Sequence, residues 1–343
     1  MKYIFCIFFT ALVLNANAAT WIVSNVPGFP ANFSSLQACV DAAANGDIII
    51  VQGSGASYGD VEVTKMLTIL GPGYFLNQNP QTQAVLASAK LNSIYFKDGS
   101  SGSILEGMEI IGSTPGAYPV SAPCFSSGSN SYSIKIDSAT VTCIADYWAD
   151  WIQISNSTGS IIRGCYGNSI FDYLNISDLH VENTIFVQPY FNNASVTNCL
   201  FYYGLDGIGG STCVDNCVFK NNVISQNNNF FSIGTSSFSN NIFTFDPLGA
   251  NAGNNLVNIS PSTLFVGYPV QGGNSLDGKF RLKSGSPAIG NGEGGTDIGP
   301  FGGNSPYQLS GISLHPNIWF VNMPSVGTSG GGLQVQIKVN AND

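Results

Sequence analysis

The chain has 343 residues with 11 Lys+Arg against 20 Asp+Glu, so only 9% of it is charged and the formal net charge is -9, while 40 residues are glycine. A pI near 4.5 excludes nucleic-acid binding by counterion release, which needs clustered cations to neutralise phosphates. Sparse charge also argues against a helical enzyme, whose exposed faces are filled with Lys and Glu. A surface of Asn, Ser, Thr and Gly around a 44% hydrophobic chain fits an extracellular all-β protein with turns rich in those residues.

Residues 1–18 read as a signal peptide, with Lys2 as the positive start, an apolar run from Tyr3 to Leu14 and small residues at Ala16-Asn17-Ala18. The mature chain then begins at Ala19 and is secreted or held at the cell surface. The apolar run is shorter than the roughly 20 residues that span a bilayer, so no transmembrane segment is expected after cleavage. Removal of Cys6 leaves Cys39, Cys124, Cys143, Cys165, Cys199, Cys213 and Cys217, an odd number, so at least one thiol is free.

Ser34 or Ser35 can cap a short helix whose Leu36, Cys39, Val40 and Ala43 fall on one face, with Asn45-Gly46 ending it. Strands are expected at Asp47 to Val51, Val61 to Val63 and Leu67 to Gly71, and weaker strand patterns at Ile104 to Ile111 and Ser133 to Asp137. From Ile162 a pattern recurs: apolar, polar, Asn or Gly, small, then an apolar pair often ending in Phe. Its third positions are Gly164, Asn183, Asn198, Asn216 and Asn240, separated by 19, 15, 18 and 24 residues.

Such spacing fits one turn of a β-solenoid, whose coils bury an apolar face only against their neighbours and stack like positions above one another. Asn183, Asn198, Asn216 and Asn240 are then expected to form an internal amide ladder at the strand spacing of about 4.8 Å, and to supply the left-handed backbone of a tight corner. A row of sugar-binding asparagines is the other reading of that column. Cys165, Cys199 and Cys217 share the next register and are expected to stack inside as reduced thiols, although adjacent coils lie close enough for a disulfide.

Near the other end, Phe280-Arg281-Leu282, Ser286-Pro287-Ala288-Ile289-Gly290 and Thr296 to Gly303 read as a closing element, with Asp297 a turn residue. After Pro306, Ile318 to Val321 and Leu333 to Val339 form an alternating pair joined through Gly327 to Gly332, a β-hairpin extension.

The succession Leu36 to Ala43, Asn45-Gly46-Asp47, Ile48 to Gln52 and Leu67 to Gly71, with the Ser-Pro-Ala-Ile and Asp-Ile-Gly elements, resembles secreted bacterial proteins of the pectin-lyase-like superfamily. The resemblance covers most of the mature chain. It implies an all-β, right-handed parallel β-helix over 19–305, plugged by the N-terminal helix and closed by the second element, with 306–343 as the hairpin extension.

Members of that superfamily that cleave acidic polysaccharides use Ca²⁺-binding carboxylates with an Arg or Lys base, or paired aspartates. Over the central coils the cations are Lys135, Arg163 and Lys220, and the tripeptide and dipeptide signatures of the hydrolases, Asn-Thr-Asp, Asp-Asp and Gly-His-Gly, are absent. With His180 and His315 as the only histidines and no repeated ligand spacing, neither a metal nor a cofactor is expected.

The remaining constellation is Asp146, Trp148, Asp150 and Trp151, followed by Phe171, Asp172, Tyr173, Tyr190, Tyr202, Tyr203 and Asp206. Aromatic faces at Trp148, Trp151, Tyr173, Tyr202 and Tyr203 suit stacking on sugar rings, and Asp146, Asp150, Asp172 and Asp206 suit hydroxyl binding or acid/base work. Strand alternation puts Trp148 and Asp150 on one face and Trp151 on the other. Two functions follow: a noncatalytic β-helix that presents a polar face to a polysaccharide or cell-surface glycan, or a polysaccharide lyase or glycoside hydrolase acting through those aspartates.

Overall fold

The computed structural model of the protein describes residues 18–111, 125–127, 135–137, 140–141, 151–155, 159–174, 177–202, 212–225, 231–232, 234–247, 253–312, 317–322 and 335–340. The fold is all-β, with short helices. Among the described residues ten strands form one sheet and fourteen a second, all paired in parallel, and two more make an antiparallel hairpin.

The chain visits the sheets in alternation, and each return lands beside the preceding pass. Strands Ile48–Val51, Thr68–Leu70, Ile104–Glu106, Lys135–Asp137, Ile161–Arg163, Leu179–Glu182, Ala194–Thr197, Val218–Lys220 and Ser237–Ser239 succeed one another in the ten-stranded sheet. The fourteen-stranded sheet has two runs, because its long strands serve two sets of neighbours. Tyr166 pairs with Ile185 and Ile185 with Leu200 in one run, while Phe171 pairs with Tyr190 and Tyr190 with Cys213 in the other.

Two corners recur in every central pass. Leaving the ten-stranded sheet, the backbone turns through a left-handed residue at Gly164, Asn183, Asn198, Asn221 and Asn240, with φ of 60°, 49°, 52°, 56° and 54°. Entering it, the turn falls on Gly159, Asp178, Asn193 and Asn216, with φ of 69°, 59°, 53° and 50°. Gly, Asn and Asp occupy these places because other L-residues are more strained at positive φ.

This geometry corrects the expected column. Asn216 lies at the second corner, and the residue in line with Asn183, Asn198 and Asn240 is Asn221, since Leu200 pairs with Val223 and Val223 with Ile242. Asn183, Asn198 and Asn221 do not ladder with one another; their amides bond to the segment described below. The internal ladder is one residue further on, at Asn222, Asn241 and Asn255. Asn222 Nδ2 donates to Asn241 Oδ1 and Asn241 Nδ2 to Asn255 Oδ1, both at 3.0 Å. Asn222 Oδ1 accepts the Cys199 N–H at 2.8 Å, so Cys199 stands in the same column.

The cysteines likewise divide. Cys165 and Cys199 flank Thr184 in that column, by the pairing of Tyr166, Ile185 and Leu200, whereas Cys217 belongs to the other corner, its sulfur accepting the Ala194 N–H at 3.4 Å. Cys39, Cys165, Cys199 and Cys217 are all buried and reduced.

Two apolar cores result. The inner one holds Ile49, Val51, Val61, Ile69, Phe96, Leu105, Ile162, Val181, Phe186, Val196, Phe201, Phe219 and Phe243, stacked pass upon pass. The second lies outside the fourteen-stranded sheet, where Tyr166, Ile185, Leu200, Val223 and Ile242 meet Leu264, Phe265, Phe280, Ala288, Ile298 and Tyr307. After the corners at Asn183, Asn198, Asn221 and Asn240 the apolar pair therefore has one member in each core: Ile185 with Phe186, Leu200 with Phe201, Val223 with Ile224 and Ile242 with Phe243. Adjacent strand residues point to opposite faces, so an apolar pair is the mark of a strand covered on both sides.

The covering layer is the segment from Leu256 to Ile312, and it corrects a second expectation. The Ser-Pro-Ala-Ile and Asp-Ile-Gly element does not close the last pass; it runs back along the side of the sheets. Asn221 Oδ1 accepts the Glu293 N–H at 2.8 Å, Asn198 Nδ2 donates to Asp297 O at 3.0 Å, and Asn183 Nδ2 donates to Gly302 O at 2.7 Å. Rising residue number in this segment thus meets falling residue number in the passes. The last pass is covered instead by residues 253–259, where Leu256 bridges Ile242.

At the opposite end, helix α1 (Leu36–Ala42) plugs the inner core with Leu36, Cys39 and Val40, and the Ser35 hydroxyl accepts the Ala38 N–H at 3.3 Å as its cap. Gln37 accepts the Glu62 N–H at 2.8 Å and donates to Glu62 O at 3.2 Å. A helix side chain thereby satisfies the edge strand Asp60–Val63, which would otherwise invite another chain. Lys65 Nζ closes the other end of α1 by donating to the carbonyls of Asp41 and Ala43 at 2.6 and 2.7 Å. Beyond Ile312, strands Asn317–Asn322 and Gln336–Asn340 pair antiparallel.

Candidate functional site

The second run of the fourteen-stranded sheet carries the candidate site. In strand Asp60–Val63, Val61 and Val63 are fully buried and Glu62 exposed; in Ser93–Phe96, Ile94 and Phe96 are fully buried and Tyr95 half-buried. Register extends the position of Glu62 and Tyr95 through Ser126, Gln153, Phe171, Tyr190, Cys213 and Ser232. The last described anchor has the same parity: Val214, next to Cys213, is buried in the inner core. Successive members of the row stand one strand apart, about 4.8 Å.

Trp151, Ser169 and Gln188 pair with one another in a second row, two residues before Gln153, Phe171 and Tyr190. Strand alternation gives both rows one face. The rows combine aromatic residues with amides and hydroxyls, and their charges lie at one end, where Lys97 Nζ and Glu62 Oε1 pair at 2.6 Å.

The expected site residues are distributed unevenly over this face. Trp151 belongs to it by register. Asp172 does not: it pairs with Ile154 at the alternate position to Phe171. Tyr173 is the extra residue of a β-bulge, since Ile154 pairs with Asp172 and Ser155 with Leu174, and bulges re-aim a strand where pairing is interrupted. Asp146, Trp148, Asp150, Tyr203 and Asp206 lie outside the described residues.

Tyr202 is corrected. It is 7% exposed and belongs to the second core, with its ring 5.0 Å from that of Phe280 and its hydroxyl 3.4 Å from that of Tyr166. Lys279 Nζ stands 5.6 Å over its ring. The covering segment takes the face that a ligand would need.

Sequence reasoning missed Tyr95, Ser126, Gln153 and Gln188. The signal was the alternation in Ser93-Ile94-Tyr95-Phe96 and Trp151-Ile152-Gln153-Ile154, which separates an apolar side from an aromatic and polar one. His180, at 2.9 Å from Asp178, is an exposed pair on the ten-stranded sheet, beside Arg163 and Glu182 at 3.7 Å.

Among the described residues no group of three or more His, Cys, Asp or Glu could hold a metal ion, and no helix is long and apolar enough to cross a membrane. Comparison with known proteins returns no match, either to a protein-family model or to a curated protein.

Proposed function

We propose that the chain is a secreted or cell-surface right-handed parallel β-helix of the pectin-lyase-like kind, noncatalytic, whose second run of strands presents an aromatic and amide face to a polysaccharide or cell-surface glycan. The observation that carries it is the row Tyr95, Ser126, Gln153, Phe171 and Tyr190 with Trp151, Ser169 and Gln188 beside it. Aromatic faces stack on the apolar faces of sugar rings, and amides and hydroxyls pair with sugar hydroxyls. A neutral glycan is the ligand class favoured, because the one cation at the row's end, Lys97, is paired with Glu62 and a polyanion would meet a chain of net charge -9. Export is supported by Lys2, the apolar run to Leu14 and the small residues at Ala16 to Ala18.

A glycan array probed with the mature protein, paired with reducing-sugar release from the glycans retained, tests both parts. Retention on neutral glycans without release is expected. Release of reducing ends would make the protein a hydrolase or lyase, and no retention on any glycan would end the binding reading.

A further inference from the structure

Asp47 is 4% exposed, and its carboxylate is met by neutral donors. Oδ2 accepts the Trp21 indole N–H at 2.8 Å and the Ala44 N–H at 2.9 Å, and Oδ1 accepts the Ala19 N–H at 2.8 Å. These bonds, the Trp21 indole first, hold its carboxyl below the ordinary aspartate range, with Lys65 adding to the effect from a distance. Lys65 itself is spent on the carbonyls of Val40, Asp41 and Ala43 at 3.2, 2.6 and 2.7 Å. A buried carboxylate ordinarily has a cation in direct contact, and here the place nearest to one is occupied by the backbone nitrogen of Ala19.

Ala19 is also the residue at which the signal-peptide pattern places the first position of the mature chain. It is held at both ends, because its carbonyl accepts the Ile48 N–H at 2.8 Å and so starts the pairing of Thr20–Val23 with Ile48–Val51. We infer that Asp47 is a built-in receptor for the α-ammonium created when export processing cuts between Ala18 and Ala19. The inference rests on the export reading above. In the cut, water adds across the peptide bond, Ala18 leaves as a carboxylate, and the Ala19 nitrogen takes up protons to become an ammonium 2.8 Å from Oδ1.

Processing thereby turns an amide hydrogen bond into a charge-assisted ion pair, shorter and stronger than its neutral counterpart. The site reads position as well as charge: a cut one residue later removes the Ala19 nitrogen and carbonyl together, and a cut earlier leaves the amide in place. The ionisable groups on the elements packed around Asp47 are Cys39 and Asp41 on α1 and Lys65 beyond it. The Cys39 thiol, pushed up to about 11 by burial and by Asp47, stays neutral through the range in which an α-amino group titrates, near 7.7–8.0 when free. The ammonium gains a partner only in the folded state, so its folded value is raised. Its contribution is full below the free value and is lost as pH rises through the folded one.

The full chain is exported from a secreting host and its intact mass measured; a mature start at Ala19 is expected. The protein starting at Ala19 is then melted beside the same protein acetylated at Ala19, from pH 6 to pH 10. The free-amine form is expected to melt about 2 °C or more higher at pH 6.5, with the gap closing at alkaline pH and absent in Asp47→Asn. An exported protein starting elsewhere, or equal melting of the two forms at pH 6.5, overturns the receptor while leaving export intact; retention of residues 1–18 overturns export itself.

Discussion

Tyr74 and Tyr307, 233 residues apart, share a buried hydrogen bond of 2.6 Å between their phenol oxygens. Tyr74 also donates to Gly164 O at 3.0 Å, and Tyr307 lies 3.3 Å from Asp277 Oδ2. Asp277 is fully buried and accepts further bonds from Ser310 N at 2.7 Å and Asn79 Nδ2 at 3.2 Å. An early loop, a central corner and the returning C-terminal segment therefore meet in one polar seam at the margin of the second core.

Removing the Tyr307 hydroxyl by Tyr307→Phe leaves Tyr74 and Asp277 short of a partner in a buried place and is expected to cost about 1–3 kcal/mol. Burial holds both phenols well above their ordinary value. The folded state keeps those protons while the unfolded chain releases them above about pH 10, so stability falls as pH rises past that point. Denaturant titrations at pH 8 and pH 10.5 check this: the wild type should lose stability between them and the Tyr74→Phe, Tyr307→Phe pair should lose less. An equal loss in both would assign the alkaline sensitivity to other groups.

The amide ladder carries a second prediction. Asn222 is fully buried, donates to Val196 O at 2.9 Å and Asn241 Oδ1 at 3.0 Å, and accepts from Cys199 N. Asn222→Leu removes every one of these partners at once and is expected to destabilise by about 2–4 kcal/mol. Asn216→Ala, at an exposed corner where its side chain reaches Asn193 at 2.6 Å, is expected to cost less, mainly through its positive φ. A chemical-denaturation comparison in which Asn216→Ala proved the more damaging would contradict the assigned column.

That column also explains what the sequence made legible. A spacing of 15 to 24 residues between apolar–Asn–small–apolar strings announced stacked parallel strands, because both the left-handed corner and the apolar pair leave a local trace. The string around Asn216 misled because two corners use the same chemistry, Asn followed by Cys, and only strand pairing tells them apart. The second core was written in the apolar pairs, yet the segment that covers it meets the passes 72 to 119 positions later, as at Asn221 with Glu293 and Asn183 with Gly302, and no local pattern encodes which segment returns. For Trp151, Phe171 and Tyr190, residue types singled out the positions and strand register places them on one face. Tyr202 has the same chemistry but lies under the returning segment, a fact of tertiary packing alone.

The buried thiols give a third prediction. Burial pushes the Cys199 thiol up to about 12 and Cys39 up to about 11, so at pH 8 their thiolate fractions are roughly 10⁻⁴ and 10⁻³. Neither should be labelled by iodoacetamide over minutes in the native protein, and both should react fully in urea. Peptide mapping of labelled samples reads the sites one by one, and rapid native alkylation of Cys199 would mean that the column opens far below the cost of global unfolding.

The face proposed to bind a glycan makes the last prediction. Phe171 and Tyr190 are paired neighbours in its central row. Each stacking ring is worth about 1 kcal/mol, so Phe171→Ala with Tyr190→Ala should weaken glycan binding by roughly 30-fold. Tyr202→Ala supplies the contrast: it hollows the second core and is expected to lower stability by about 3–5 kcal/mol, while leaving the affinity of the folded fraction within twofold. Affinity electrophoresis against the glycan retained on the array, run alongside thermal melts of each variant, separates the two effects. Unchanged retention in the Phe171 and Tyr190 double variant, with the fold intact, would move the binding site off this sheet.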